Sequence, residues 1–194
     1  MARWSTLEGS IYKFTQPETE EHFLKNFFEN RAFIPKTDKE KEEYRDFSFV
    51  SSTMALLVYI SDADGTISSK EKKIIMDELK FQLEHRHFEY EILQKQIDPK
   101  EMEILNSLFS KFKMEIEGGI CDLEEIIRII NMIYQKNPFK RNFILRLCYY
   151  VGYADENLLF SEQNAIKDVA DKLMISAEDQ QRIKTEVKNE LNLK

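Results

Sequence analysis

Apolar residues recur along this chain at the three- and four-residue spacings of a single helix face. Val50, Met54, Leu57 and Val58 share one stripe, and Leu105, Leu108, Phe109 and Phe112 another. Ile166, Val169, Ala170 and Leu173 form a third, and Ile183, Val187 and Leu191 a fourth. Between the stripes lie helix-start signals, in which a Ser, Thr or Asp is followed three residues later by an acidic residue. Each side chain of such a pair satisfies a free backbone N–H of the other. Thr15 with Glu18, Thr37 with Glu40, Ser68 with Glu71 and Asp122 with Glu125 read this way, as does Ser176 with Asp179. Asp98-Pro99 places proline at a first helical position, where its missing N–H costs nothing. Stops fall at Gly118-Gly119 and at Asn137-Pro138. No stretch alternates as a strand would, and the polar residues 80–97 predict an exposed helical segment. The pattern predicts an all-α protein, a single helical bundle of about eight or nine helices.

A longer regularity is superimposed on this one. The phrase Ala63-Asp64-Gly65-Thr66-Ile67-Ser68-Ser69-Lys70-Glu71 returns as Ala154-Asp155-Glu156-Asn157-Leu158-Leu159-Phe160-Ser161-Glu162, 91 residues further on. The same offset carries Met54 onto Leu145, Leu56 onto Leu147, Tyr59 onto Tyr150 and Ile60 onto Val151. It also carries Ile67 onto Leu158 and Ile75 onto Ile166. A unit of helix, acidic turn and helix is therefore duplicated, and it repeats in register with its apolar positions.

Composition narrows the function classes. The chain has 194 residues, enough to bury a full core, and only five glycines and four prolines, which favours helices. A formal net charge of −7 argues against general attraction to nucleic acid or anionic lipid. The two cysteines, Cys121 and Cys148, have neither metal-type nor disulfide-type spacing. Cys148 lies in the apolar run of Phe143-Ile144-Leu145 and Leu147 and reads as a buried free thiol, which fits a reducing, cytoplasmic setting. No signal-peptide core and no membrane-spanning run is expected. His85 and His87 cannot form a helical zinc pair at a spacing of two, and there is no phosphate loop, nucleophile elbow or triad, so no enzyme is expected.

The acidic turns are the one candidate for chemistry. Aligning Gly65 with the sixth position of an EF-hand loop puts Asp62, Asp64 and Glu71 at the third, fifth and twelfth positions. Ile60 then occupies the leading ligand position and offers no oxygen, so an EF-hand is excluded. The remaining donors are Asp62, Asp64, Glu71, the Thr66 carbonyl and Ser68. These hard oxygens suit Ca²⁺, Mg²⁺ or Mn²⁺ rather than Zn²⁺. Asp155, Glu156 and Glu162 supply carboxylates at the second turn. Carboxylates at the C-terminal end of a helix oppose its dipole, and a cation would relieve them. Ordinary turn chemistry is the competing reading, because Glu71 pairs with Ser68 and Asp64 can bond within its own turn.

The stretch Ser61 to Glu71, with Leu147 to Ile166 and Ala170 to Ser176, resembles the TerB-like family of tellurite-resistance proteins. That family includes the helical domain beside the J-domain of the co-chaperone DjlA. The resemblance runs from about residue 47 to 190 and is closest at the two turns. It implies an all-helical, internally symmetric fold, acidic residues that bind a divalent metal in some members, and a role in stress response or protein assembly. Glu156 stands where the family has glycine, and Leu159 where it has a capping serine. No His-Pro-Asp motif occurs, so a complete J-domain co-chaperone is not expected. The chain divides into an N-terminal helical extension, 1–46, and a TerB-like domain, 47–194. Phe23, Phe27, Phe28 and Phe33 give the extension a face to pack on the core, or a partner-binding or swapped arm. The expected function is a cytoplasmic cation-binding module acting through protein partners. The alternatives are a metal-free interaction scaffold and, more distantly, a metal-dependent hydrolase.

Overall fold

The computed structural model describes residues 38–193, apart from 89–90, 95–98, 122 and 135–136. Thr15, Glu18 and the four phenylalanines of the extension lie outside the described residues. Seven α-helices are present among them. Helix α1 (Asp38–Ser61) runs into a short 3₁₀ turn (Asp62–Asp64), followed by α2 (Ser69–Glu84). Strands β1 (His85–Phe88) and β2 (Glu91–Gln94) come next, and then α3 (Pro99–Glu117) and α4 (Leu123–Tyr134). The chain continues through α5 (Pro138–Gly152), α6 (Phe160–Lys172) and α7 (Ala177–Glu190). Helix α1 thus passes without a break through residue 46, the division drawn between extension and domain.

One element departs from the sequence expectation. Strands β1 and β2 pair antiparallel, His85 with Gln94 and His87 with Ile92, where an exposed helical segment is expected. The histidines therefore lie on a strand, where spacing by helical face does not apply. Phe88 and Ile92 are β-favouring residue types, but the strands are too short to show a period.

Thr37, Asp98 and Asp122 lie outside the described residues, but several other starts and stops follow the local signals. Glu71 N–H donates to Ser68 Oγ at 3.2 Å while Ser68 N–H donates to Glu71 Oε2 at 2.7 Å, closing both halves of the box. Asp179 N–H donates to Ser176 Oγ. Asn137 proves to be a start rather than only a stop: its side chain accepts from Lys140 N–H, with Pro138 at the first helical turn. Helix α3 ends at the Gly118-Gly119 pair, where Gly119 adopts φ +64° and lets Ile120 N–H reach back to the Glu115 carbonyl.

Helix α1 is the axis of the molecule. From Val50 to Ser61 every residue except Tyr59 is buried, which requires neighbours on all sides. Helices α2, α3, α4, α5 and α6 supply them. The duplicated units interlock here, since α1 packs on α5 and α6 while α5 packs on α1 and α2. The paired positions match in burial: Met54 and Leu145, Leu56 and Leu147, Ile60 and Val151, and Ile75 and Ile166 are all in the core. Helix α7 closes the far side of α5, where Arg146 holds Glu186 at 2.9 Å and also bonds Glu190, which accepts from the Tyr150 hydroxyl. The arginine that interrupts the apolar run of α5 is thus the inter-helix brace. Leu191, assigned to the α7 stripe, is instead 37% exposed just beyond the helix end. Both cysteines are buried and free, and burial pushes the Cys148 thiol far above its usual range.

Because α1 is enclosed on all faces, Leu57→Ala should cost about 2–5 kcal/mol of stability. Urea unfolding followed by circular dichroism will show it as a lower midpoint at unchanged slope.

Candidate functional site

The two acidic turns have the same backbone. Gly65 N–H donates to the Asp62 carbonyl at 2.9 Å, and Glu156 N–H, 91 residues later, donates to the Tyr153 carbonyl at 2.9 Å. Gly65 has φ +86° and Glu156 φ +67°, so both turns reverse through the left-handed region. Only the first has the residue that does so without a steric cost. The duplication read in the sequence is therefore a duplication of the turn itself.

The packing of α1 and α2 against α5 and α6 brings the turns face to face. Asp64, Thr66, Ser68 and Glu71 from the first, and Gly152, Asp155, Asn157, Leu159 and Glu162 from the second, line one cleft of about 270 Å³. Four of the six predicted site residues thus converge: Asp64, Glu71, Asp155 and Glu162. Two do not line it. Asp62 is half-buried against the end of α3, and its carboxyl is raised by that burial and by Glu117, with Lys113 opposing. Glu156 points into solvent from its left-handed position. Among the described residues no three His, Cys, Asp or Glu side chains stand close enough to hold a metal ion as they are arranged.

Each carboxylate has a distinct setting. Asp64 Oδ1 accepts from Thr66 N–H at 2.8 Å and from Thr66 Oγ1 at 3.0 Å, tying the turn as its position suggests. Asp155 is exposed, and Lys70, 3.1 Å away on α2, holds its carboxyl below the usual range. Glu71 and Glu162 are each only 5% exposed. Both open a helix, Glu162 by accepting from Leu159 N–H at 2.7 Å.

The two glutamates differ in how well their charge is accommodated. Burial raises both, but Glu71 is opposed by the Ser68 N–H and hydroxyl and by the Ser61 hydroxyl. In the second unit Gly152 stands at the position of Ser61 and Leu159 at that of Ser68. Glu162 keeps only the Leu159 N–H. Burial, with Glu71, Asp64 and Asp155 nearby, pushes it up to about 7. Gly152 also admits the Leu158 side chain: a Cβ there would stand 2.5 Å from Leu158 Cδ1. The sequence reading did not single out Lys70, Ser61, Gly152 or Asn157. Aligning the repeats position by position exposes the Ser61-to-Gly152 exchange, whereas the reach of Lys70 depends on tertiary packing.

The profile of the tellurite resistance protein TerB family matches residues 51–185, which span both turns and six of the seven helices in full or in large part. The chain belongs to the TerB family. No curated protein and no solved structure matches it. The TerB match begins inside α1, at the start of its buried stretch, and ends within α7. No helix among the described residues is long and apolar enough to cross a membrane.

Two outcomes follow from the site. Replacing Glu156 by glycine should stabilise the domain by about 0.5–1 kcal/mol, the left-handed cost removed less the added flexibility of the unfolded chain; thermal melts of the two proteins measure it. Glu162 binds its proton more tightly folded than unfolded, so its contribution to stability is full at low pH. That contribution is lost as pH rises from about 4.5 through 7. In chelator-treated protein the loss should be on the order of 1–2 kcal/mol, allowing for water in the cleft. Glu162→Gln should flatten the profile, and denaturation at successive pH values tests this.

Proposed function

We propose that this TerB domain binds a divalent cation in the cleft between its acidic turns. It acts without catalysis, through protein partners, in stress response or protein assembly. The observation that carries the reading is the convergence of Asp64, Glu71, Asp155 and Glu162 on one cleft from turns far apart in sequence. The donor set fits the ion class. All four are hard carboxylate oxygens, which favours Ca²⁺, Mg²⁺ or Mn²⁺ over Zn²⁺. Crowded carboxyls that hold a proton near neutral pH are also groups that a cation would stabilise in their ionised form. Asp64 and Asp155 are exposed and held only by Thr66 and Lys70, while Glu71 and Glu162 are fixed by their helix starts.

A metal-free interaction scaffold is the second reading. Its support is that Glu71, Glu162 and Asp64 are each already used in building a turn or a helix start. A hydrolase would also use a cleft with a carboxyl near 7, but among the described residues no histidine lines this one.

Calorimetric titration of chelator-stripped protein separates these readings. Binding of Ca²⁺, Mg²⁺ or Mn²⁺ is expected, with proton release at pH 7 revealed by comparing two buffers. Asp64→Asn and Asp155→Asn should each weaken binding roughly tenfold, because each removes a ligand charge. Absence of heat and of any melting shift with every ion would leave the scaffold reading.

A further inference from the structure

We infer that Lys70 is the resident counter-cation of the cleft, and that a divalent ion gains Asp155 as a ligand only by displacing this ammonium. The inference rests on the cation-binding reading above.

The first observation is the contact itself. Lys70 Nζ lies 3.1 Å from Asp155 Oδ1, joining the start of α2 to an aspartate of the other unit that lines the cleft. The second is where Lys70 sits. Ser68 caps α2, so Lys70 lies in its first turn, where the helix dipole disfavours a positive charge. Its own helix gives no electrostatic reason for a lysine there; the carboxylate across the cleft does.

The third observation is the broken symmetry. The position equivalent to Lys70 in the second unit is Ser161. At that place the second unit offers Asp64 a serine rather than a lysine, and Asp64 bonds Thr66 of its own turn. One side of the cleft is neutralised by the protein and the other is left to an incoming ion. One Asp155 oxygen is thereby occupied by Lys70. The lysine and aspartate side chains are 63% and 50% exposed, so the bridge is a weak one that a doubly charged ion can break. Lys70 then swings into solvent, and the lysine acts as a positioning residue that sets the ion's threshold concentration.

Removing the charge while keeping most of the stem isolates this role. Lys70→Met should bind Ca²⁺ or Mn²⁺ about three- to tenfold more tightly than the wild type, since ion and ammonium no longer compete. Lys70→Arg, which retains the charge, should stay near the wild-type affinity. As a second readout, acetylation of Lys70 by an amine-reactive ester, followed by mass spectrometry, should rise when the ion is added, while Lys188 on α7 is unchanged. Unaltered or weaker binding by Lys70→Met, with the wild type binding normally, overturns the inference alone. Absence of binding by both proteins with every ion removes the cation reading and this inference together.

Discussion

Glu71 and Glu162 each open a helix by accepting a backbone N–H three residues back, and each is buried within reach of the other's charge. This shared constraint organises the middle of the molecule. A glutamate that starts a helix normally stands in water, where its charge is cheap. Here the interlocking of α1 and α2 with α5 and α6 takes both out of water, so each unit needs a means of tolerating a buried acid. Turn geometry, the choice of residue at the helix end and the position of Lys70 can all be understood as answers to that requirement.

The two units answer it differently. The first surrounds Glu71 with the hydroxyls of Ser61 and Ser68, and turns through Gly65, whose left-handed conformation has no steric cost. The second has lost both hydroxyls and the glycine. It keeps Glu162 beside a lone backbone donor and forces Glu156 through the same turn. The protein has kept the backbone of the duplication more faithfully than the side chains that made it comfortable, and its first turn is the better prepared of the two.

Much of this was legible in the chain. Buried stripes such as Leu105, Leu108, Phe109 and Phe112 follow from helical spacing alone, and the Ser68–Glu71 pair follows from the physics of unpaired N–H groups at a helix start. The duplication was visible because the 91-residue offset preserved both the turn and its apolar neighbours. What it could not show is that the turns face one another, since that depends on how two helix pairs cross. For the same reason Asp62 and Asp64, two residues apart, could not be separated in advance: one turns to α3 and the other to the cleft. The pairing of β1 with β2 is not legible because strands of four residues are too short to display an alternating period against the helical signal before them.

Helix α1 carries a further consequence for biogenesis. Its unbroken buried stretch from Val50 to Val58 has no water-facing side, and among the helices that enclose it are α5 and α6, which are synthesised some 90 residues later. While the chain is being made, this segment leaves the ribosome well before those partners exist. In that interval the faces of α1 that α5 and α6 will cover stay open to water. The interlock that brings the acidic turns together thus also delays completion of the core until the second unit has been made.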